Sequence, residues 1–314
     1  MRNSAVSTGF MALILLLSAG YAFAQNWTTC ASPSIPRWCP GSAVIGSNIY
    51  LIGGQDSIPP FTSIPDVEVY DTVTDTWSAV SPMSNARWGL MVSVVDGKIY
   101  AIGGQTGSFM EGYTATDYVE EYDPATDTWT ELSPLPTSRG WGGSAVCSDT
   151  IFVFGGYDPE VEETGMEVEK FYPATGTWSS DPLMPMYRET FSCIYMNGLI
   201  YIIGGWDNDL VQAYDPAAKT WTEPAPMLTG RGASGVCSFG DCIIVAGGRG
   251  GPEAVEAYCY DSDSWITMPS LPTPREGLIA ETVNGKLFTI TGSRPISEGG
   301  VPYYGIIECI ELDD

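Results

Sequence analysis

Apolar residues along most of this chain come in short runs broken by Gly, Pro, Asp and Asn. The clearest example begins at residue 90. Residues 90–95 (LMVSVV) read as a strand, and Asp96-Gly97 suits a two-residue type I′ turn, because both positions want φ > 0. Residues 98–102 return as a second strand that stops at Gly103-Gly104, where the chain can turn tightly or approach another backbone. A variable loop follows, then a third strand at 118–122, a turn at 123–127 and a fourth strand at 128–132. Asn197-Gly198 and Asn284-Gly285 repeat the turn signal, and no 10-residue amphipathic helix pattern occurs after residue 24. The pattern predicts an all-β chain.

The unit recurs. Gly-Gly pairs stand at 53–54, 103–104, 155–156, 204–205 and 247–248, with Thr291-Gly292 as a degenerate sixth. Trp77, Trp129, Trp178, Trp221 and Trp265 keep step at intervals of 43 to 52 residues, the period of propeller blades. Arg37, Arg87, Arg139, Arg188, Arg231 and Arg275 each lie 17 residues before the second glycine of their unit. One four-stranded sheet of this kind cannot bury both faces, whereas six packed radially can, with Trp129, Tyr100 and Tyr122 filling the space between neighbours.

The unit formed by the arginine, a hydrophobic strand, DG-x-IY-x-IGG, VE-x-YDP-x-T-x-TW resembles the kelch repeat, over nearly all of residues 26–314. The resemblance implies a six-bladed β-propeller with blades near 37–81, 87–133, 139–181, 188–223, 231–267 and 275–312. The last unit lacks a tryptophan strand, and the chain after residue 24 opens with a tryptophan strand (NWTTC) that has no unit before it. Residues 26–31 are therefore expected to complete the last blade and hide both edge strands. That closure would bring Cys30 and Cys309 together on adjacent strands, and antiparallel pairing would do the same for Cys242 and Cys259. Cys147, Cys193 and Cys237 fall on innermost strands, where buried free thiols are expected.

Composition narrows the function. The first 24 residues carry a short apolar run at 10–17, too short to span a bilayer, and Ala22-Phe23-Ala24 has the small-x-small form of a signal-peptidase site. Cleavage after Ala24 would give an exported protein, secreted or periplasmic, in which disulfides are permitted. No later segment reads as membrane-crossing. A formal charge of −25 argues against nucleic acid and anionic lipid as general partners. Histidine is absent and no cysteine pair has zinc spacing, so neither a metal nor a cofactor is expected. The copper-dependent galactose oxidases share the repeat but need histidines.

Strand order puts the arginine loops and the post-glycine loops on one face, around the mouth of the central channel. These loops (55–66, 105–117, 157–167 and 293–305) are long and dissimilar, as functional loops on a rigid scaffold tend to be. Trp38, Trp88, Trp141, Tyr157 and Trp206 accompany the arginines there, and Arg249 and Arg294 follow the glycines of blades five and six. Arginine offers a planar fork of five donors and stacks on aromatic rings. The expected function is an exported, monomeric binding module whose arginines and aromatics take a glycan, an acidic peptide or a partner protein. The resemblance supports this, since some kelch propellers bind acidic peptides through arginines at this repeat position. Two other readings stay open. The arginines could instead bridge blades, with Glu68, Glu120, Glu169, Glu256 and Glu308 as partners. Alternatively the chain could be a sugar mutarotase resembling N-acetylneuraminate epimerase, with Arg188-Glu189 and Arg275-Glu276 as the acid and arginine pairs. Asp207-Asn208-Asp209 lacks the full spacing of a calcium loop.

Overall fold

A computed structural model describes residues 26–161, 165–206, 208–294 and 305–312. The signal-peptide expectation for 1–24, Asp207, and residues 295–304 of the last long loop lie outside these residues. Each repeat folds as four antiparallel strands. In the second, these are Met91–Val95, Lys98–Ile102, Val119–Asp123 and Thr128–Glu131, within a residue or two of the expected bounds. Asp96 and Gly97 have φ of 51° and 74°, as the type I′ turn requires. Six such sheets form a six-bladed propeller. In the last, Ile279–Val283, Lys286–Ile290 and Ile307–Glu311 are joined by Thr28–Cys30, with Thr28 opposite Cys309 and Cys30 opposite Ile307. The N-terminal strand thus closes the ring.

The second strand of every blade is a near-continuous apolar run buried on both faces, and with the third strand it supplies the core between sheets. Tyr50, Ile52, Val67 and Val69 of blade one pack on Ile99, Ala101 and Tyr122 of blade two, and equivalent clusters recur around the ring. The repeated tryptophan adds a polar tie to the blade before it. Trp77 Nε1 donates to Ala31 O, Trp129 to Ser81 O, Trp178 to Ser133 O and Trp265 to Ala225 O, at 2.8–3.1 Å. Trp27, immediately before the closing strand, reaches Pro269 O at 3.4 Å and so occupies the tryptophan position that the last repeat lacks.

Candidate functional site

The six repeated arginines do not stand open around the channel mouth, as the sequence suggested. Arg37, Arg87, Arg139, Arg231 and Arg275 are fully buried and Arg188 is 4% exposed. Their guanidinium groups point back into their own blades. Arg87 donates to Gly103 O and Tyr118 O and pairs with Glu120 at 2.6 Å. Arg37–Glu68, Arg139–Glu169, Arg231–Glu256 and Arg275–Glu308 repeat the pair. Burial pulls Arg87 down to about 10 against the attraction of Glu120, and it stays protonated at neutral pH. Blade four departs from the rule: Gln212 stands where the others carry glutamate, and among the described residues Arg188 bonds only to carbonyls of Ile202, Gly204 and Leu210.

The link between arginine and glycine pair has a second half. The N–H of each second glycine donates to the arginine carbonyl of the next blade: Gly54 to Arg87, Gly104 to Arg139, Gly156 to Arg188, Gly205 to Arg231, Gly248 to Arg275 and Gly292 to Arg37. A Cβ on Gly53, Gly103, Gly155, Gly204 or Gly247 would meet that same carbonyl at 2.8 Å or less. The arginine thus ties its own blade through its side chain and the preceding blade through its backbone.

Two residues after each arginine the chain takes positive φ, at Cys39, Gly89, Trp141, Thr190, Ala233 and Gly277. These residues bond to one another in a circle. Gly89 N–H donates to Cys39 O, Trp141 to Gly89, Thr190 to Trp141, Ala233 to Thr190, Gly277 to Ala233 and Cys39 to Gly277, at 2.7–3.0 Å. This collar separates two cavities that share Trp141, Thr190 and Ala233 in their walls. The one inside the channel, about 260 Å³, is lined by Ser42, Ser144, Ser192, Ser234 and Glu281. Burial lifts Glu281 to about 7, although Ser42 donates to it at 2.6 Å.

The other cavity, about 410 Å³, opens on the loop face. Trp38, Trp88 and Trp141, the aromatics that follow the arginines of blades one to three, meet there with ring centroids 4.9–5.5 Å apart. Phe109 and Tyr113, from a hairpin of Gln105–Ser108 and Gly112–Ala115, complete that wall, with Trp88 itself 1% exposed behind them. Tyr157, Glu189, Trp206, Arg249 and Glu276 complete the lining. Arg249 lies 4.4 Å over the ring of Trp206, which is 59% exposed. Glu276 is 3% exposed and its backbone pairs with Ser293, after which Arg294 is exposed. Burial raises the carboxyl of Glu189 above the ordinary glutamate range, with Tyr187 hydrogen-bonded to it. In each Arg-Glu dipeptide, then, the arginine is structural and the glutamate faces the cavity.

Sequence reasoning brought Trp38, Trp88, Trp141, Tyr157, Trp206 and Arg249 to one place and missed Phe109, Tyr113 and, inside the channel, Glu281. Phe109 and Tyr113 sit in a loop without repeat register, and Glu281 is an unrepeated acid on an innermost strand. Among the described residues no His/Cys/Asp/Glu group could hold a metal ion.

The model of the KLHDC2/KLHL20/DRC7 kelch-repeats domain matches residues 89–292, and that of the kelch motif matches 36–84. Kelch-like protein terF of Aspergillus terreus is 30% identical over 320 residues, 90% of this chain and 69% of that protein. Alpha-scruin of Limulus polyphemus is 26% identical across 84% of this chain, and bovine Kelch-like protein 36 is 26% identical across 82%. The chain spans 25% of the scruin and 35% of Kelch-like protein 36. The solved structure of YjhT superposes with a TM-score of 0.73 over 90% of this chain and 95% of its own, at 16% identity, a likeness of fold alone. With the arginine repeated in all six closed blades and the glycine pair and the tryptophan tie each in five of them, the chain belongs to the kelch-repeat family of β-propellers.

Proposed function

We propose that this propeller is an exported interaction module whose loop-face cavity seats a glycan or a segment of a partner protein. The observation that carries the reading is the cavity itself. Five aromatic residues meet in one wall, charged side chains complete the lining, and the propeller ring holds both. Aromatic surfaces give large contact area at low entropic cost, and the few polar groups fix orientation. With the six repeated arginines buried, an acidic peptide would have Arg249 as its guanidinium contact in the cavity. Screening the chain from residue 25 against glycan and peptide arrays tests the reading. Hits should weaken at least tenfold in Trp141→Ala and Trp206→Ala. Hits indifferent to both substitutions would place binding elsewhere and overturn it.

A second reading, sugar mutarotation or epimerisation, is favoured by the raised carboxyl of Glu189 in the same cavity, since a poised acid suits proton transfer. Exchange between anomers of N-acetylneuraminate, followed by NMR, should then accelerate with the protein and revert in Glu189→Gln.

Export would also permit two disulfides. In the structure all eight cysteines are free thiols, Cys242 and Cys259 are register partners, and the sulfurs of Cys30 and Cys309 lie 3.0 Å apart. We propose both pairs as the oxidised form.

A further inference from the structure

The charge around the loop-face cavity is not that of an anion-binding ring. Its polar wall holds two carboxylates, Glu189 and Glu276, and one guanidinium, Arg249. Each of the four lysines is already paired with an acid, Lys98 with Glu121, Lys170 and Lys219 with Asp181, and Lys286 with Glu311. Aromatic faces carry negative quadrupole potential, and rings converging beside a carboxylate are what a poorly hydrated ammonium needs. Arg249 stacks on Trp206 and, among the described residues, makes no salt bridge. Its donor fork remains available for an oxyanion.

We propose that the cavity takes a small zwitterion, with a methylated ammonium against Trp38, Trp141 and Glu189 and an oxyanion a few bonds away on Arg249. This rests on the cavity being the ligand site and narrows that reading to one chemical class. A ligand bearing both charges meets both signs on the wall. A simple cation gains from Glu189 and the rings but is repelled by Arg249, and a simple anion meets the opposite balance. The raised carboxyl of Glu189 agrees, since it marks a carboxylate buried without a compensating cation. The volume of about 410 Å³ admits a ligand of this size with a few waters.

Calorimetric titration of the chain from residue 25 tests the proposal, with glycine betaine and phosphocholine as probes and choline and acetate as single-charge controls. The zwitterions should bind at least tenfold more tightly than either control. Glu189→Gln should weaken zwitterions and choline alike. Arg249→Gln should weaken the zwitterions while leaving choline unchanged or tighter, a change of sign that general destabilisation would not produce. Co-sedimentation with phosphatidylcholine vesicles separates the two sources of this chemistry: binding to vesicles points to a lipid headgroup, and binding of the soluble probes alone points to a free metabolite. Zwitterions no tighter than the controls, or indifferent to Arg249→Gln, would overturn the proposal. If array hits still depend on Trp141 in that case, the cavity stands as the binding site and only the ligand class falls.

Discussion

Arg188 is the one repeated arginine without a glutamate across from it. In the other five blades the guanidinium meets a glutamate within 3.3 Å, while here Gln212 is 1% exposed and, among the described residues, its Oε1 has no hydrogen-bond partner. Arg188 Nε and Nη2 are likewise unbonded, and the acid that acts on it most is the exposed Glu223. A buried charge without its partner is costly, and breaking such a pair typically loses about 3–5 kcal/mol. Opposite outcomes follow for one chemical change made in two directions. Gln212→Glu should stabilise the protein by about 1–3 kcal/mol, less than a full pair because the new carboxylate must be desolvated. Glu120→Gln, which strips the partner from Arg87, should destabilise it by about 3 kcal/mol. Urea denaturation of both variants checks the pair. A destabilised Gln212→Glu would show that blade four is adapted to the amide.

The innermost strands are the elements that face the channel, and they touch across blade boundaries through short polar side chains. Ser93 meets Ser144 at 2.9 Å, Ser192 meets Ser234 at 3.0 Å, and Ser42 donates to Glu281 at 2.6 Å. The last of these crosses the seam where the ring closes. Because Glu281 is lifted to about 7 from an ordinary 4.5, the folded protein holds a proton between those values that the unfolded chain has released. Its contribution to stability is therefore full below about pH 4.5 and is lost as pH rises through 7. Glu281→Gln should then match the parent at pH 4.5 and exceed it at pH 8, by no more than about 2 kcal/mol once channel water is allowed for. Melting curves at the two pH values measure the difference. An equal change at both would remove titration as its cause.

At the scale of the whole ring, closure depends on a three-residue strand, Thr28–Cys30, together with Trp27 and the bond from Ala31 N–H to Asp75. Removing residues 25–31 exposes the Ile307–Glu311 strand as a sheet edge and leaves Trp77 without its acceptor on Ala31. The truncated chain should aggregate, or melt well below the parent, in static light scattering and thermal scans. Unchanged behaviour would mean that the seam is held elsewhere. Non-reducing peptide mapping of the parent should join Cys30 to Cys309 and Cys242 to Cys259. Burial, with help from Cys309, pushes Cys30 up to about 12, so air oxidation at neutral pH should be slow without a disulfide donor. Linkage of Cys30 to Cys39 instead would break the covalent part of the closure.

Much of this ring was legible beforehand, because blade geometry imposes a sequence period: Asp96-Gly97 gave the turn, the tryptophans the spacing, and NWTTC the closing strand. The fate of Arg87 was not. The spacing that sets its backbone is the same whether its side chain points to solvent or back to Glu120, and only packing decides. Phe109 lay beyond reach for another reason, since its loop occurs once and has no second copy to compare.

The collar of Cys39, Gly89, Trp141, Thr190, Ala233 and Gly277 has a last consequence. A helix carries partial charges at its ends because its terminal donors and acceptors go unused. A head-to-tail circle has no ends. Its six N–H···O=C bonds chase one another around the axis and their in-plane dipole components cancel, and each N–H and each carbonyl in the circuit already has a partner. The floor of the loop-face cavity is therefore electrically quiet. A guest arriving there finds the collar's own main-chain donors spent, and discrimination between guests falls to the side chains that stand above the circle.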